Sequence, residues 1–147
     1  MPGRTTEHMN DRSSNTPARI LYFTSAVEFG TGLALIFDPI LVVLLLLGAD
    51  VSGAGVLLGR CFGVALLALA VACWPSDHRI GSAASARRAM LIYNTLLAAY
   101  LAYLGTAGGF RGPLLWLAVA LHAVVALLLV ATWHMGRRSS ASPVPTK

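Results

Sequence analysis

Four apolar stretches decide what this chain can become. Residues 19–37, 53–74, 86–104 and 113–134 are nearly free of charge, and each approaches the roughly 20 residues a helix needs to cross a hydrocarbon core about 30 Å thick. Backbone amides in lipid have no water to bond, so such segments must satisfy themselves as helices. Only 12% of the 147 residues are charged and 56% are hydrophobic, whereas a soluble domain carries about 25% charge. The sequence therefore predicts an all-α integral membrane protein. Its expected form is an antiparallel four-helix bundle over 19–135, with disordered polar tails over 1–18 and 136–147.

Asp38-Pro39 interrupts the first apolar region. Proline disfavours helical geometry in the residue before it, while Asp as N-cap with Pro in the first turn starts a new helix. A short helix over 39–47 is expected after the break, too short to span and lying at the outer interface. The alternative is one long kinked helix over 19–47. The second stretch carries Gly55, Gly59 and Gly63 at every fourth position, a small-residue pattern that lets another helix approach closely. Ser85 is the expected cap of the third span, and Pro113 suits the first turn of the fourth. Tyr22, Trp74, Trp116 and Trp133 fall near span ends, where interfacial aromatics belong.

The net charge of +5 does not point to nucleic acid, because its distribution follows the membrane. Arg4, Arg12, Arg19, Arg79, Arg87, Arg88, Arg137, Arg138 and Lys147 all lie in the tails or near the central loop. By the positive-inside rule this predicts a multi-pass protein of the inner (cytoplasmic) membrane with both termini in the cytoplasm. The first 18 residues, with Glu7, Asp11 and Pro17, read as a tail rather than a cleavable signal peptide. Cys61 and Cys73 would be about 18 Å apart on one helix, too far for a disulfide.

Two charges fall near the middle of a span, Glu28 and Arg60. A charge at the bilayer centre costs about 2.5–3.5 kcal/mol on insertion scales, so such residues usually face the interior and mark function. Asn94 and His122 sit at similar depth in the other two spans, all four within one to two turns of the midplane at about 1.5 Å per residue. One polar residue per helix predicts a shared pocket. Glu28 and His122 are its candidate acid and base; Arg60, Asn94, Tyr93 and Tyr100 are candidate ligand-binding groups, the two tyrosines sharing a helix face. The plainer alternative is a Glu28–Arg60 pair that fixes helix register, with Asn94 and His122 bonding between helices. Buried ion pairs stabilise weakly, which favours the pocket. No metal site is expected, since the chain lacks HxxxH, HxxE and CxxC spacings, and no nucleotide or serine-hydrolase motif is present.

The four-span layout, the FDP break after the first span, the run GRCFGVALLALAVACW and the LIYN of the third span resemble the DoxX-like small bacterial membrane proteins, over roughly residues 20–134. That resemblance implies a four-helix fold and, for some members, association with quinone-linked oxidoreductase complexes. The expected function is binding of a hydrophobic small molecule, such as a quinone or lipid, and the resemblance implies a role as accessory subunit of a membrane redox system. No resident cofactor is predicted; quinone is the candidate the resemblance implies. Two alternatives stand beside it: acid–base chemistry on a hydrophobic substrate (isomerase, cyclase or hydrolase type), and a small homo-oligomeric transporter or proton pathway. The partners implied are the bilayer, a hydrophobic molecule and a membrane redox protein or second copy, with no nucleic acid.

Overall fold

The computed structural model describes residues 7–75 and 80–139, with side chains over 16–75 and 84–134. The described chain is helical, with no strand: α1 (Glu7–Phe37), α2 (Pro39–Leu47), α3 (Ala54–Cys73), α4 (Ile80–Thr106) and α5 (Leu115–Ser139). Four segments are long and apolar enough to cross a membrane: Thr16–Phe37, Ala54–Cys73, Ala84–Thr106 and Leu115–His134. The protein is thus a multi-pass helical bundle with a short fifth helix after the first span.

The break falls where Asp38-Pro39 places it. The Asp38 carboxylate accepts the N–H of Leu41 at 3.0 Å and Pro39 opens α2, while the Asp38 N–H donates back to Ala34 and closes α1. One continuous kinked helix is therefore excluded. Gly48, in the left-handed region at φ 68°, ends α2 and returns its N–H to Leu44. The remaining carbonyls of that last turn would be orphaned in an apolar setting. Two of them are met from the α4–α5 connection, where Leu114 N–H donates to Leu45 at 2.9 Å and Arg111 N–H to Leu47 at 3.2 Å. Gly112 lies so close to the backbone of Leu46 that no side chain fits between them.

Helix ends differ from expectation. Residues 7–18, expected as a disordered tail, belong to α1, with Pro17 inside the helix; residues 136–139 likewise extend α5. Residues 1–6 and 140–147 lie outside the described residues. Loss of apolarity marks where a helix leaves the membrane, not where it stops, and polar residues sustain a helix outside it. Ser85 is not a cap either, because α4 already runs from Ile80. Its alanine-rich opening has high helix propensity and needs no late start. His78 lies outside the described residues, as do the side chains of His8 and Arg12.

The helices pack as two tight hairpins, α1 with α3 and α4 with α5, joined more loosely to each other. Backbone meets backbone in the first. A Cβ placed on Gly63 would come within 2.6 Å of the Gly32 carbonyl oxygen, and one on Gly32 within 2.8 Å of that of Gly63. A Cβ on Gly59 would come within 2.9 Å of the Pro39 side chain, so the glycines of α3 receive both α1 and α2. Between the hairpins, at the end away from α2, Leu21, Cys73, Met90, Val125 and Leu129 form an apolar core. Tyr22 donates to the Pro75 carbonyl and meets Trp74 edge-on at 5.4 Å, while Arg87 and Arg88 both lie 5.8 Å from the Trp133 ring.

Gly63→Ala should therefore destabilise the bundle by about 1–3 kcal/mol, the usual cost of overpacking. Gly30→Ala, where a Cβ meets nothing within 4 Å, should instead stabilise by about 0.5–1 kcal/mol through helix propensity. Thermal unfolding in one detergent compares them, and equal responses would contradict the close crossing.

Candidate functional site

Helical spacing brings the polar residues inward. On α1, Leu21, Thr24, Ser25, Glu28, Gly32 and Leu35 are buried, the three-and-four spacing of an inward stripe. Met90, Asn94 and Leu101 form the corresponding stripe of α4, and Leu115, His122, Val125 and Leu129 that of α5. Each polar residue replaces one apolar residue in a core stripe, so all arrive at one level between the hairpins.

At that level Glu28 and Asn94 are each 1% exposed and His122 is 8%. Tyr93 donates its hydroxyl to Oε2 of Glu28 at 2.8 Å, linking α4 to α1. His122 Nδ1 lies 2.8 Å from Asn94 Oδ1, linking α5 to α4, and 4.0 Å from Oε1 of Glu28. The Tyr93 and His122 rings meet edge to face at 5.9 Å. Oε1 of Glu28 is buried and has no hydrogen-bond partner; the hydroxyl of Ser25, one turn away, is in the same state.

The histidine proton can be located from these contacts. Asn94 donates from Nδ2 to the Met90 carbonyl at 2.8 Å. A carbonyl only accepts, so the opposite amide orientation would set two oxygens against each other. Oδ1 of Asn94 therefore faces His122, and being an acceptor it requires a proton on Nδ1. In neutral imidazole the lone pair then sits on Nε2.

A narrow crevice opens beside this group between α1 and α5. Phe23 and Val27 wall it on one side, Leu121 and Val125 on the other, with Thr24, Glu28, Asn94 and His122 forming its polar part. Phe23 is 55% exposed, so the mouth opens on the lipid-facing flank. The Thr24 hydroxyl is already committed to the Ile20 carbonyl. As it stands, the crevice is too tight to admit a water molecule.

Two expected members are elsewhere. Arg60 is exposed on the outer face of α3 near Leu57 and Val64, and makes no ion pair with Glu28. The reason is helical: Arg60 stands about 100° round from Gly59, and the glycine ladder already commits that side of α3 to α1 and α2. Tyr100 is 59% exposed, although it shares a helix face with Tyr93. Ser25 was missed by sequence reasoning; its three-residue spacing from Glu28 was the available signal. Compared with known proteins, the chain matches no family model, no curated protein and no solved structure.

Tyr93→Phe removes a hydrogen bond to a buried carboxyl group and should cost about 1–3 kcal/mol. Added to Glu28→Leu it should cost much less, and a double-mutant cycle measures that coupling. Additive losses would mean that the contact carries no energy. Arg60→Leu should ease membrane insertion by about 3 kcal/mol on insertion scales without altering the coupling. A changed coupling would return Arg60 to the network.

Proposed function

We propose that the protein binds a hydrophobic small molecule of the quinone or lipid class, which enters sideways from the bilayer between α1 and α5. The observation that carries this reading is Oε1 of Glu28, a buried oxygen without a partner on a residue that lines the crevice. Leaving such a group unsatisfied costs about 1–3 kcal/mol, and a ligand head group relieves that cost. The walls of Phe23, Val27, Leu121 and Val125 suit an apolar ring or chain, in keeping with sites that are mostly apolar with a few convergent polar groups. Entry requires α1 and α5 to part, and the looser packing between the hairpins supports that motion.

Resemblance to DoxX-like proteins adds a role as accessory subunit of a membrane redox system. The spread of arginines supports the inner membrane with both termini in the cytoplasm. Reporter fusions at each end test the orientation: a cytoplasm-only fluorescent reporter should light at both termini, and a dark one at either would reverse it.

One observation favours a second reading. Asn94 fixes the His122 proton on Nδ1, which frees Nε2 as a base, and Glu28 supplies an acid in the same group. This is the arrangement of an enzyme doing acid–base chemistry on a hydrophobic substrate.

The protein should be purified in polymer nanodiscs without detergent and its hydrophobic contents identified by mass spectrometry. One apolar molecule enriched over the surrounding lipid in the wild type, and lost in Glu28→Leu, is the expected result. Extracts identical to bulk membrane in both would overturn the binding reading. Under the enzymatic reading Glu28→Gln retains a different molecule, the unconverted substrate, whereas the same molecule in both leaves binding alone.

A further inference from the structure

We propose that the head group taken by this site is a hydroxyl that donates to Nε2 of His122. The inference rests on the ligand-binding reading above and sharpens it, selecting alcohols, phenols and hydroquinones over ketones, quinones and ethers.

The cluster leaves two positions open. Nδ1 of His122 is committed to Asn94, and Asn94 is held in that orientation by the Met90 carbonyl. Neutral His122 therefore presents an acceptor at Nε2 and nothing else. That atom has no hydrogen-bond partner among the described residues and is not sealed among the buried unpartnered atoms, while its side chain lines the crevice. Only a donor completes it.

Oε1 of Glu28 is the second open position, on a residue 1% exposed and within 4.0 Å of the same imidazole. A hydroxyl oxygen donates once and accepts twice. It can donate to Nε2 while accepting from Glu28 in its protonated form, so one small group completes both side chains. A carbonyl or ether oxygen accepts from Glu28 but leaves Nε2 bare, and that unmet polar atom is what the site discriminates against. Discrimination of this kind is strong, because a site built to bond a hydroxyl rejects the analogue lacking it far more than an apolar pocket rejects a methylene. The neighbouring hydroxyls do not compete: Tyr93 is bound to Oε2, Thr24 to Ile20, and Ser25, though unpartnered, does not line the crevice.

Shape agrees with this choice. The crevice is closed to water in this state and walled by apolar side chains, so the head entering between α1 and α5 must be slender and the body behind it apolar.

A matched pair of probes tests the proposal, 4-octylphenol and its methyl ether 4-octylanisole, titrated against the full chain in nanodiscs by equilibrium dialysis. The phenol should bind at least tenfold more tightly than the ether, about what one hydrogen bond of roughly 1.4 kcal/mol supplies. The preference should vanish in His122→Phe and shrink in Asn94→Leu, where nothing holds the proton on Nδ1. Equal affinities for the two probes, or a tighter ether, would overturn the hydroxyl assignment and leave the hydrophobic-ligand reading standing. Saturable binding of neither probe, together with extracts that match bulk lipid, would overturn both.

Discussion

Tyr93 reaches from α4 to α1 to hold one oxygen of Glu28, and one residue further along α4 Asn94 turns to hold His122 on α5. These two 2.8 Å contacts let four apolar helices keep a carboxyl group, an amide and an imidazole at their centre. Lipid can satisfy none of the three, so the helices must bring them together. The other joints of the bundle lie to either side. Towards α2, main-chain bonds from Arg111 and Leu114 tie α2 to the second hairpin. Away from it, the core around Met90 and Leu129 packs apolar side chains between the hairpins, with the Cys73 thiol directed at the Ala86 carbonyl at 3.7 Å. Among the described residues, the hydrogen bonds that join one side chain to another between helices lie in the middle layer.

Its incompleteness separates a site from a structural bridge. A polar network kept only to fix helix register gains most when every member is satisfied, because each open valence in a low-dielectric interior is costly. Here one carboxyl oxygen of Glu28 and the Ser25 hydroxyl are buried and unmet, and Nε2 of His122 is open, beside a crevice with apolar walls. The two tight hairpins pack more loosely against each other than within themselves, and a lateral ligand would enter between them at this layer. Tight packing inside each hairpin, in the first through Gly32 and Gly63, keeps such a motion between the two halves.

Much of this was legible in the sequence, and the exceptions share one cause. Asp38-Pro39 combines a stop and a start in two residues, so the break and α2 could be read directly. Glu28, Asn94 and His122 could be placed at one level because depth follows from counting along a helix. Depth says nothing of direction, and there Arg60 went astray. It lies at mid-span yet points outward, and the glycine ladder beside it already held the information, since two faces about 100° apart cannot both meet α1. Tyr100 shows the converse: sharing a face with Tyr93 does not ensure contact, because the buried stripe of α4 runs through the adjacent residues Asn94 and Leu101. Helix ends were misjudged because apolarity reports the membrane boundary and is blind to helix beyond it, as Pro17 and Ser85 show.

The account turns on where the proton of His122 sits. Nitrogen-15 NMR of histidine-labelled protein in lipid, with the signal assigned by its loss in His122→Gln, reports this directly. The contacts of Asn94 predict a protonated Nδ1 and a bare Nε2. A protonated Nε2 with a bare Nδ1 would mean that Asn94 does not orient the imidazole, and the reading of the site built on it would fall.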